Sequence, residues 1–159
     1  KISMAVSYSD NENAIRTGGQ LGKFLFESRD IHTNMIDFLF KYRGWAFAAE
    51  YIKRNSINPI TTSGTETRYV YVGHGQNFQG SYLFRNNFEL IGRYSNVMPD
   101  ESIRTLARKT RQYTTGVTKY LKGHRVKLQS DLTYEKNHEY VNNTDSDNWQ
   151  LRFQIEIGI

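Results

Sequence analysis

Hydrophobic and polar residues alternate strictly along the end of the chain. Within residues 148–159, one parity is apolar and consists of Trp149, Leu151, Phe153, Ile155, Ile157 and Ile159. The other parity carries Gln150, Arg152, Gln154, Glu156 and Gly158. Because successive side chains of a strand point to opposite faces, this pattern predicts one extended strand with an apolar face and a polar face. Such a strand suits a wall with hydrocarbon on one side and water on the other.

The same alternation marks seven further segments, so the sequence predicts about eight strands. They lie near residues 1–9, 33–42, 45–54, 68–84, 88–97, 112–121, 125–135 and 148–159. The segment 68–84 changes parity across Gly73 and Gly75, which predicts a bulge or bend there. Helical periodicity is weak, except that residues 100–109 indicate a short loop helix.

The predicted connections alternate between tight turns and long polar loops. Gly and Asn favour tight turns at 43–44, 85–87 and 122–124. The long connections are 10–31, 55–67, 98–111 and 136–147. Barrels of bacterial outer membranes have short turns at one rim and long loops at the other. The spacing therefore predicts a single antiparallel transmembrane β-barrel domain or segment over residues 1–159.

Composition bears on this prediction in two ways. The mean hydropathy of −0.67 is typical of a soluble protein, and no apolar run approaches the roughly 20 residues of a spanning helix. A helical membrane protein is thus excluded, whereas a barrel is not, because half of each strand and the loops can be polar. The aromatic content of 14% favours strands and membrane interfaces. The chain has no Cys, which excludes disulfides and thiolate metal sites.

No residue pattern indicates catalysis. The four histidines, His32, His74, His124 and His138, lack the close spacing of metal ligands. There is no nucleophile motif or phosphate-binding loop, and the carboxylates are scattered singly. We therefore predict a protein that is not an enzyme and that has no metal site and no cofactor.

Charged residues on the polar parity form the candidate site. If the aromatic parity faces lipid, five cations line the lumen: Lys41, Arg54, Arg93, Lys127 and Arg152. Five carboxylates share that parity: Asp37, Glu50, Glu89, Asp131 and Glu156. A lumen lined by cations would steer small anions, in keeping with the net charge of +5. Because the two counts are equal, a balanced ladder of cross-strand ion pairs is the slightly favoured alternative.

A basic stretch at residues 104–111 has three possible roles. It lacks the recognition motif and aromatic platform of a nucleic-acid-binding surface, so no nucleic-acid partner is predicted. A contact with lipopolysaccharide phosphates, or a vestibule that gathers anions, is a more economical functional interpretation. A solvated loop without a specific partner is the simplest one.

Several short motifs stand together in the second half of the chain. They are FELIGRYS at 88–95 followed by Pro99-Asp100, YTTGVTKYL at 113–121, GHRVKLQ at 123–129 and LRFQI at 151–155. They resemble strand-and-loop motifs of the phosphate-selective porin O and P family, from about residue 36 to the end. The resemblance implies the C-terminal half of a sixteen-stranded, usually trimeric channel in the outer membrane of a Gram-negative bacterium.

The resemblance also implies partners and an assembly signal. The partners are outer-membrane lipid and lipopolysaccharide, the barrel-assembly machinery, small anions such as phosphate, and two further copies if the protein is full length. The candidate assembly signal consists of Phe153, Ile155, Ile157 and Ile159. The family often has Asn and an aromatic residue where this chain has Thr118 and Lys119, and often ends on an aromatic residue instead of Ile159. The family's constriction residues belong to its N-terminal half and have no counterpart here.

The sequence thus predicts an outer-membrane porin segment for passive diffusion of small, anionic solutes. Three alternatives stay open. One is a complete eight-stranded barrel that does not conduct and has a structural or adhesive role. The second is a barrel fragment held by an assembly machine, since unpaired strand edges are a liability. The third is a soluble β-barrel that binds a small ligand in an apolar interior.

Overall fold

A computed structural model of the protein describes residues 1–121 and 125–158. The turn predicted at 122–124, with His124, and the terminal Ile159 lie outside the described residues. Within them, the chain is all-β and antiparallel, as the alternation predicts. No helix among the described residues has the length and apolar character needed to cross a membrane.

Eight strands form one antiparallel sheet in which each strand pairs with the next along the sheet. In sheet order they are β1 (Ile2–Arg16), β2 (Phe24–Tyr42), β3 (Trp45–Asn55), β6 (Gly73–Leu83), β7 (Phe88–Pro99), β8 (Lys109–Tyr120), β9 (Val126–Glu139) and β10 (Thr144–Ile157). A separate hairpin of β4 (Ile60–Ser63) and β5 (Glu66–Tyr69) is inserted between β3 and β6. Among the described strands β1 and β10 are edges, so the sheet is open and closure into a barrel stays a prediction.

Two predicted long loops are wrong, because the strands extend into them. The first connection shortens from 10–31 to 17–23, and the last shortens from 136–147 to 140–143. The added segments contain polar residues that pair across the hairpin, as in the Asp10–His32 contact of 2.8 Å. They also contain apolar residues of the rim, such as Leu25 and Ile31, but register shifts beside Ala14 interrupt the regular alternation there. Backbone pairing needs no apolar side chain, so a search for alternating hydrophobicity misses these extensions.

The predicted strand at 68–84 is also wrong as a single element. The chain leaves the small hairpin after Tyr69 and joins the large sheet at Gly73. Gly73 has φ +137, and a Cβ there would lie 2.2 Å from the Met98 carbonyl oxygen. The bend therefore occurs at the first of the two glycines, whereas Gly75 occupies a regular strand position opposite Ile52 and Val97.

The predicted loop helix is reduced to one 3₁₀ turn, Glu101–Ile103. Asp100 caps it by accepting a hydrogen bond of 3.0 Å from the Ser102 backbone N–H. This turn buries Ile103 in a small apolar cluster at the long-loop rim. The cluster consists of Ala14, Leu25, Ile31, Val70, Val72 and Ile103. The principal hydrophobic core of the described chain therefore lies at the long-loop rim, where Val70, Val72 and Ile103 pack on β1 and β2. Away from this rim, no described layer of structure packs over either face of the sheet.

The pairing register carries the alternation across all eight strands. On one side, which we call the apolar face, Met4 aligns with Phe38 across β1 and β2, and Tyr134 aligns with Trp149 across β9 and β10. The opposite side, the polar face, carries the charged parity of each strand. Side chains on the polar face crowd one another: Thr118 is 1% exposed and Thr133 is 6% exposed.

Candidate functional site

All five candidate cations lie on the polar face. Lys41 is opposite Ala46, Arg54 is opposite Thr33, and Arg93 is opposite Gln79 and Thr114. Lys127 is opposite Glu156, and Arg152 is opposite Asp131. The strand register therefore brings these residues to one surface, as the parity argument requires.

Two of the five cations form ion pairs with the strand beside them. Arg152 Nε lies 2.8 Å from Asp131 Oδ2, and Lys127 Nζ lies 2.8 Å from Glu156 Oε2. Both pairs join β9 to β10. Directly opposed charges of opposite sign favour this register by about 0.2–1 kcal/mol per pair.

The other three cations have no carboxylate partner among the described residues. Arg54 Nε donates to Thr33 Oγ1 at 3.2 Å. Arg93 and Lys41 take part in no ion pair within the part of the chain that is described. A complete ladder of cross-strand ion pairs is therefore not present, although the β9–β10 portion of it is.

The carboxylates are distributed unevenly. Asp37 on β2 and Glu50 on β3 stand directly opposite each other, and Glu50 Oε2 accepts a hydrogen bond of 3.0 Å from the Asn77 side chain. Glu89 accepts one of 2.5 Å from the Tyr120 hydroxyl. Like charges directly opposite on a sheet repel each other. Parity places these carboxylates on one face, but it does not indicate that Asp37 and Glu50 stand opposite each other.

Two depressions on the sheet show this separation of charge. One, of about 340 Å³, is lined by Asp37 and Glu50. The other, of about 200 Å³, is lined by Arg93 and Arg152 together with Asp131. The lining of the first depression is therefore acidic, and that of the second has one excess cation. Over whole strands the candidate charges balance, because Lys41 and Arg54 also lie on β2 and β3, and Glu89, Asp131 and Glu156 match the three cations of β7–β10.

A ladder of polar side chains, in which Glu135 is the charged member, joins β8 to β9 on the same face. Thr114 and Thr133 hydroxyls lie 2.8 Å apart, and the Gln112 amide donates to Glu135 at 2.7 Å. The Thr110 hydroxyl donates to Asn137 at 2.7 Å. These residues are absent from the predicted site, although the recurrence of Thr110, Gln112 and Thr114 at every second position is a signal that could have identified them.

The long-loop rim holds a cavity of about 770 Å³. Arg104 and Arg108 line it, with Tyr69, Tyr71 and Tyr140. Burial, with the neighbouring Tyr69 and Tyr140, raises the pKa of the Tyr71 hydroxyl. The two arginines come from the basic stretch at 104–111, which in this structure borders a cavity beside the sheet.

Two rows of aromatic side chains cross the apolar face. On the long-loop side, the rings of Tyr94, Tyr113, Tyr134 and Trp149 follow one another at 5.1, 6.4 and 4.8 Å. On the short-turn side, the Tyr82 ring lies 4.7 Å from Trp45 and 4.8 Å from Phe84. Three of the candidate assembly residues, Phe153, Ile155 and Ile157, are exposed between and beside these rows.

Among the described residues, no group of three or more His, Asp or Glu side chains could hold a metal ion. Comparison with family models, curated proteins and solved structures finds no match to the chain. The similarity to the porin family therefore rests on the short motifs quoted above, and the functional argument rests on the two faces of the sheet.

Proposed function

We propose that this chain is part of the wall of an outer-membrane β-barrel channel, through which small solutes diffuse passively. The apolar face would contact lipid, and the polar face would line a water-filled lumen. The transport needs no energy source and no covalent step. The size of the lumen and the charge of its wall would set permeability.

The observation that carries this proposal is the exposure of the apolar face. Phe153 is 75% exposed and Ile155 is 68% exposed, and none of the described residues forms a layer over them. Soluble monomers rarely leave an apolar surface of this extent in water. A surface that spans eight adjacent strands is instead suited to hydrocarbon, where the strands pair their own backbone groups.

The height of the apolar face supports the same proposal. Trp149 and Ile157 are eight residues apart on β10, which corresponds to about 27 Å along the strand. At a tilt of about 40°, this becomes roughly 20 Å along the membrane normal, near the ~25 Å apolar band of outer-membrane barrels. Aromatic rows at both borders are the expected interface anchors.

The open edges of β1 and β10 support a larger barrel. Each edge presents backbone N–H and C=O groups that have no cross-strand partner on that side among the described residues. In a membrane these groups need hydrogen bonds, so further strands must complete the wall. Eight additional strands would give the sixteen-stranded barrel that the family resemblance implies, with a lumen wide enough for water.

The polar face supports diffusion of anions only in part. Arg93 has no carboxylate partner among the described residues, whereas Asp37 and Glu50 face each other on β2 and β3. We propose that the region around Arg93 and Arg152 favours anions such as phosphate, and that the acidic region makes the overall preference modest.

Planar-bilayer recordings test this proposal. The protein is purified from its native membrane, its intact mass is determined, and single-channel currents are recorded. We expect large stable current steps from a polypeptide much heavier than 18.6 kDa. A mass that matches this chain, with no conductance, would favour the closed eight-stranded barrel. Solubility without detergent would favour the ligand-binding soluble barrel instead.

A further inference from the structure

A second group of cations lies on the apolar face, just beyond the long-loop aromatic row. Arg111 on β8 is directly opposite Lys136 on β9, and Lys109 is directly opposite His138. Arg111 and Lys136 are each two residues from a tyrosine of that row, which is about 7 Å along the strand. This group belongs to the outward surface and is separate from the five cations of the polar face.

The local carboxylates neutralise only part of this group. Asp145 Oδ2 lies 2.8 Å from Lys136 Nζ, and Asp145 Oδ1 lies 2.8 Å from His138 Nδ1. Asp147, opposite Lys136, accepts a hydrogen bond from the Tyr134 hydroxyl at 3.3 Å. Lys109 and Arg111 pair with no carboxylate in the described part of the chain. The directly opposed Arg111 and Lys136 repel each other in part, because Asp145 contacts Lys136 but not Arg111.

The group also forms a concave surface. Lys109, Arg111, Lys136 and His138 line a depression of about 300 Å³ together with Tyr140 and Asp145. Oxygen acceptors placed there would meet two unpaired cationic side chains at once. Phosphate is an anion of suitable size and charge for such a depression.

We propose that this depression binds the phosphate headgroup of an outer-leaflet lipid, with lipid A as the best-fitting class. The inference rests on the proposed function, because it requires the apolar face to contact lipid. The apolar face below the depression would hold the acyl chains, and the aromatic row would mark the boundary between chains and headgroup. A soluble anion would gain nothing from that adjacent apolar surface.

The test compares binding of two lipids to the full-length, detergent-purified protein. Affinities for lipid A and for dephosphorylated lipid A are measured by native mass spectrometry at low salt. The variant Lys109→Gln/Arg111→Gln should bind lipid A roughly 25-fold more weakly, about fivefold for each charge removed. Dephosphorylated lipid A should bind weakly to the natural protein and to this variant alike.

A charge-matched control is available at the opposite rim. The variant Arg43→Gln/Arg85→Gln removes the same charge beside the short turns and should leave lipid A binding unchanged. Equal losses in the two variants, or equal binding of the two lipids, would overturn the assignment. Full competition by inorganic phosphate would also overturn it, because the ligand would then be a free anion.

Vesicle insertion separates this inference from the proposed function. The natural protein and both variants are mixed with phosphatidylcholine vesicles, and insertion is measured by flotation. If all three proteins insert but the natural protein binds lipid A and dephosphorylated lipid A equally in the mass-spectrometric assay, the headgroup site alone is refuted. Failure of the natural protein to insert would refute the membrane proposal and this inference with it.

Discussion

The apolar and polar faces of the sheet differ in exposure in the direction opposite to that of a soluble protein. Phe153 on the apolar face is 75% exposed, whereas Thr118 on the polar face is 1% exposed. Soluble sheets bury the apolar parity and leave the polar one in water. Apolar residues of the rim also differ from those of the apolar face, because Val70 and Ile103 are fully buried in an apolar cluster.

This comparison separates two kinds of apolar residue that composition treats as one. Those of the rim cluster are removed from water by the fold itself. Those of the sheet remain exposed after the chain has folded, so their stabilisation must come from another medium or another molecule. The polar face, in turn, must satisfy its crowded groups by hydrogen bonds within the sheet, as Thr114 and Thr133 do.

The largest expected effect comes from placing a charge on the apolar face. Phe153→Arg puts a guanidinium near the middle of the β10 apolar stretch. We expect it to lower stability in a bilayer by about 2–4 kcal/mol, the cost of an arginine at the membrane midplane. Urea titration of the protein refolded into phospholipid vesicles measures this change.

The neighbouring Gln154→Arg is its matched control, because the same side chain then points to the polar face. We expect a change within about 0.5 kcal/mol there. Similar losses in the two variants would mean that the faces do not differ in their surroundings, and the membrane proposal would then lose its principal support.

The next effect concerns ion selectivity. Replacing Arg93, Lys127 and Arg152 together with Glu removes the cations of the β7–β10 region and places carboxylates opposite Asp131 and Glu156. We expect the permeability ratio to shift towards cations by roughly tenfold, since wall charge alters the local ion concentration. The reversal potential across a salt gradient measures the shift, and an unchanged value would exclude the polar face as the pore lining.

Removal of the opposed carboxylates should act in the other direction and more weakly. Asp37→Asn/Glu50→Gln eliminates a repulsion between β2 and β3, so we expect a stabilisation of about 0.2–1 kcal/mol and a shift towards anions. Urea titration and the reversal potential are both measured.

Asp131→Asn is the control variant. It breaks the ion pair with Arg152, so it should destabilise the protein slightly, by at most about 1 kcal/mol. The reversal potential should shift towards anions in both variants, since each removes negative charge from the polar face. Stability changes of the same sign in the two variants would contradict the assigned repulsion and ion pair.

Much of the fold could be predicted because alternation is a local property of sequence. Period-two patterns located all eight strands of the large sheet and the face on which Arg93 and Arg152 lie. The patterns failed where pairing is polar, as along Asp10 and His32, and where a short chain reversal at Gly73 divides two sheets. Backbone hydrogen bonds determine those boundaries, and they leave little trace in hydrophobicity.

The candidate site could be predicted less completely than the fold, for a related reason. Parity assigns a residue to a face, but only the register decides which residue stands opposite it. The sequence therefore gave the number of charges, whereas the Asp37–Glu50 and Arg111–Lys136 oppositions emerged only from the pairing of strands. Cations without a carboxylate partner among the described residues, such as Arg93, could not be distinguished in advance from paired ones.

The rim loop at residues 100–108 lies on neither face of the sheet, so a change there can be compared with changes on the two faces. Asp100 accepts hydrogen bonds from the Ser102 backbone N–H at 3.0 Å and from its hydroxyl at 2.8 Å. These bonds hold the pKa of the Asp100 carboxyl below its usual value. Because the pKa is lower in the folded state, the ionised Asp100 carboxylate stabilises the turn. This stabilisation is complete above the pKa of the unfolded chain, which is near 4, and it is lost as the pH falls through the pKa of the folded state.

The smallest expected effect follows from this cap, and it should leave both faces of the sheet unaltered. Pepsin cleavage within residues 100–108 is compared at about pH 5 and about pH 2 for the natural protein, Asp100→Asn and Asp100→Ala. The Ala variant should be cleaved faster at both pH values, since loss of a cap costs at least about 0.5 kcal/mol. Asn retains an acceptor but does not titrate, so the Asn variant should lack the additional acid sensitivity of the natural protein.

Because the cap stabilises the turn that buries Ile103, a change confined to this loop would mean that the rim cluster and the sheet open independently. A simultaneous loss of the β-sheet signal would instead mean that the sheet depends on the rim cluster for its stability.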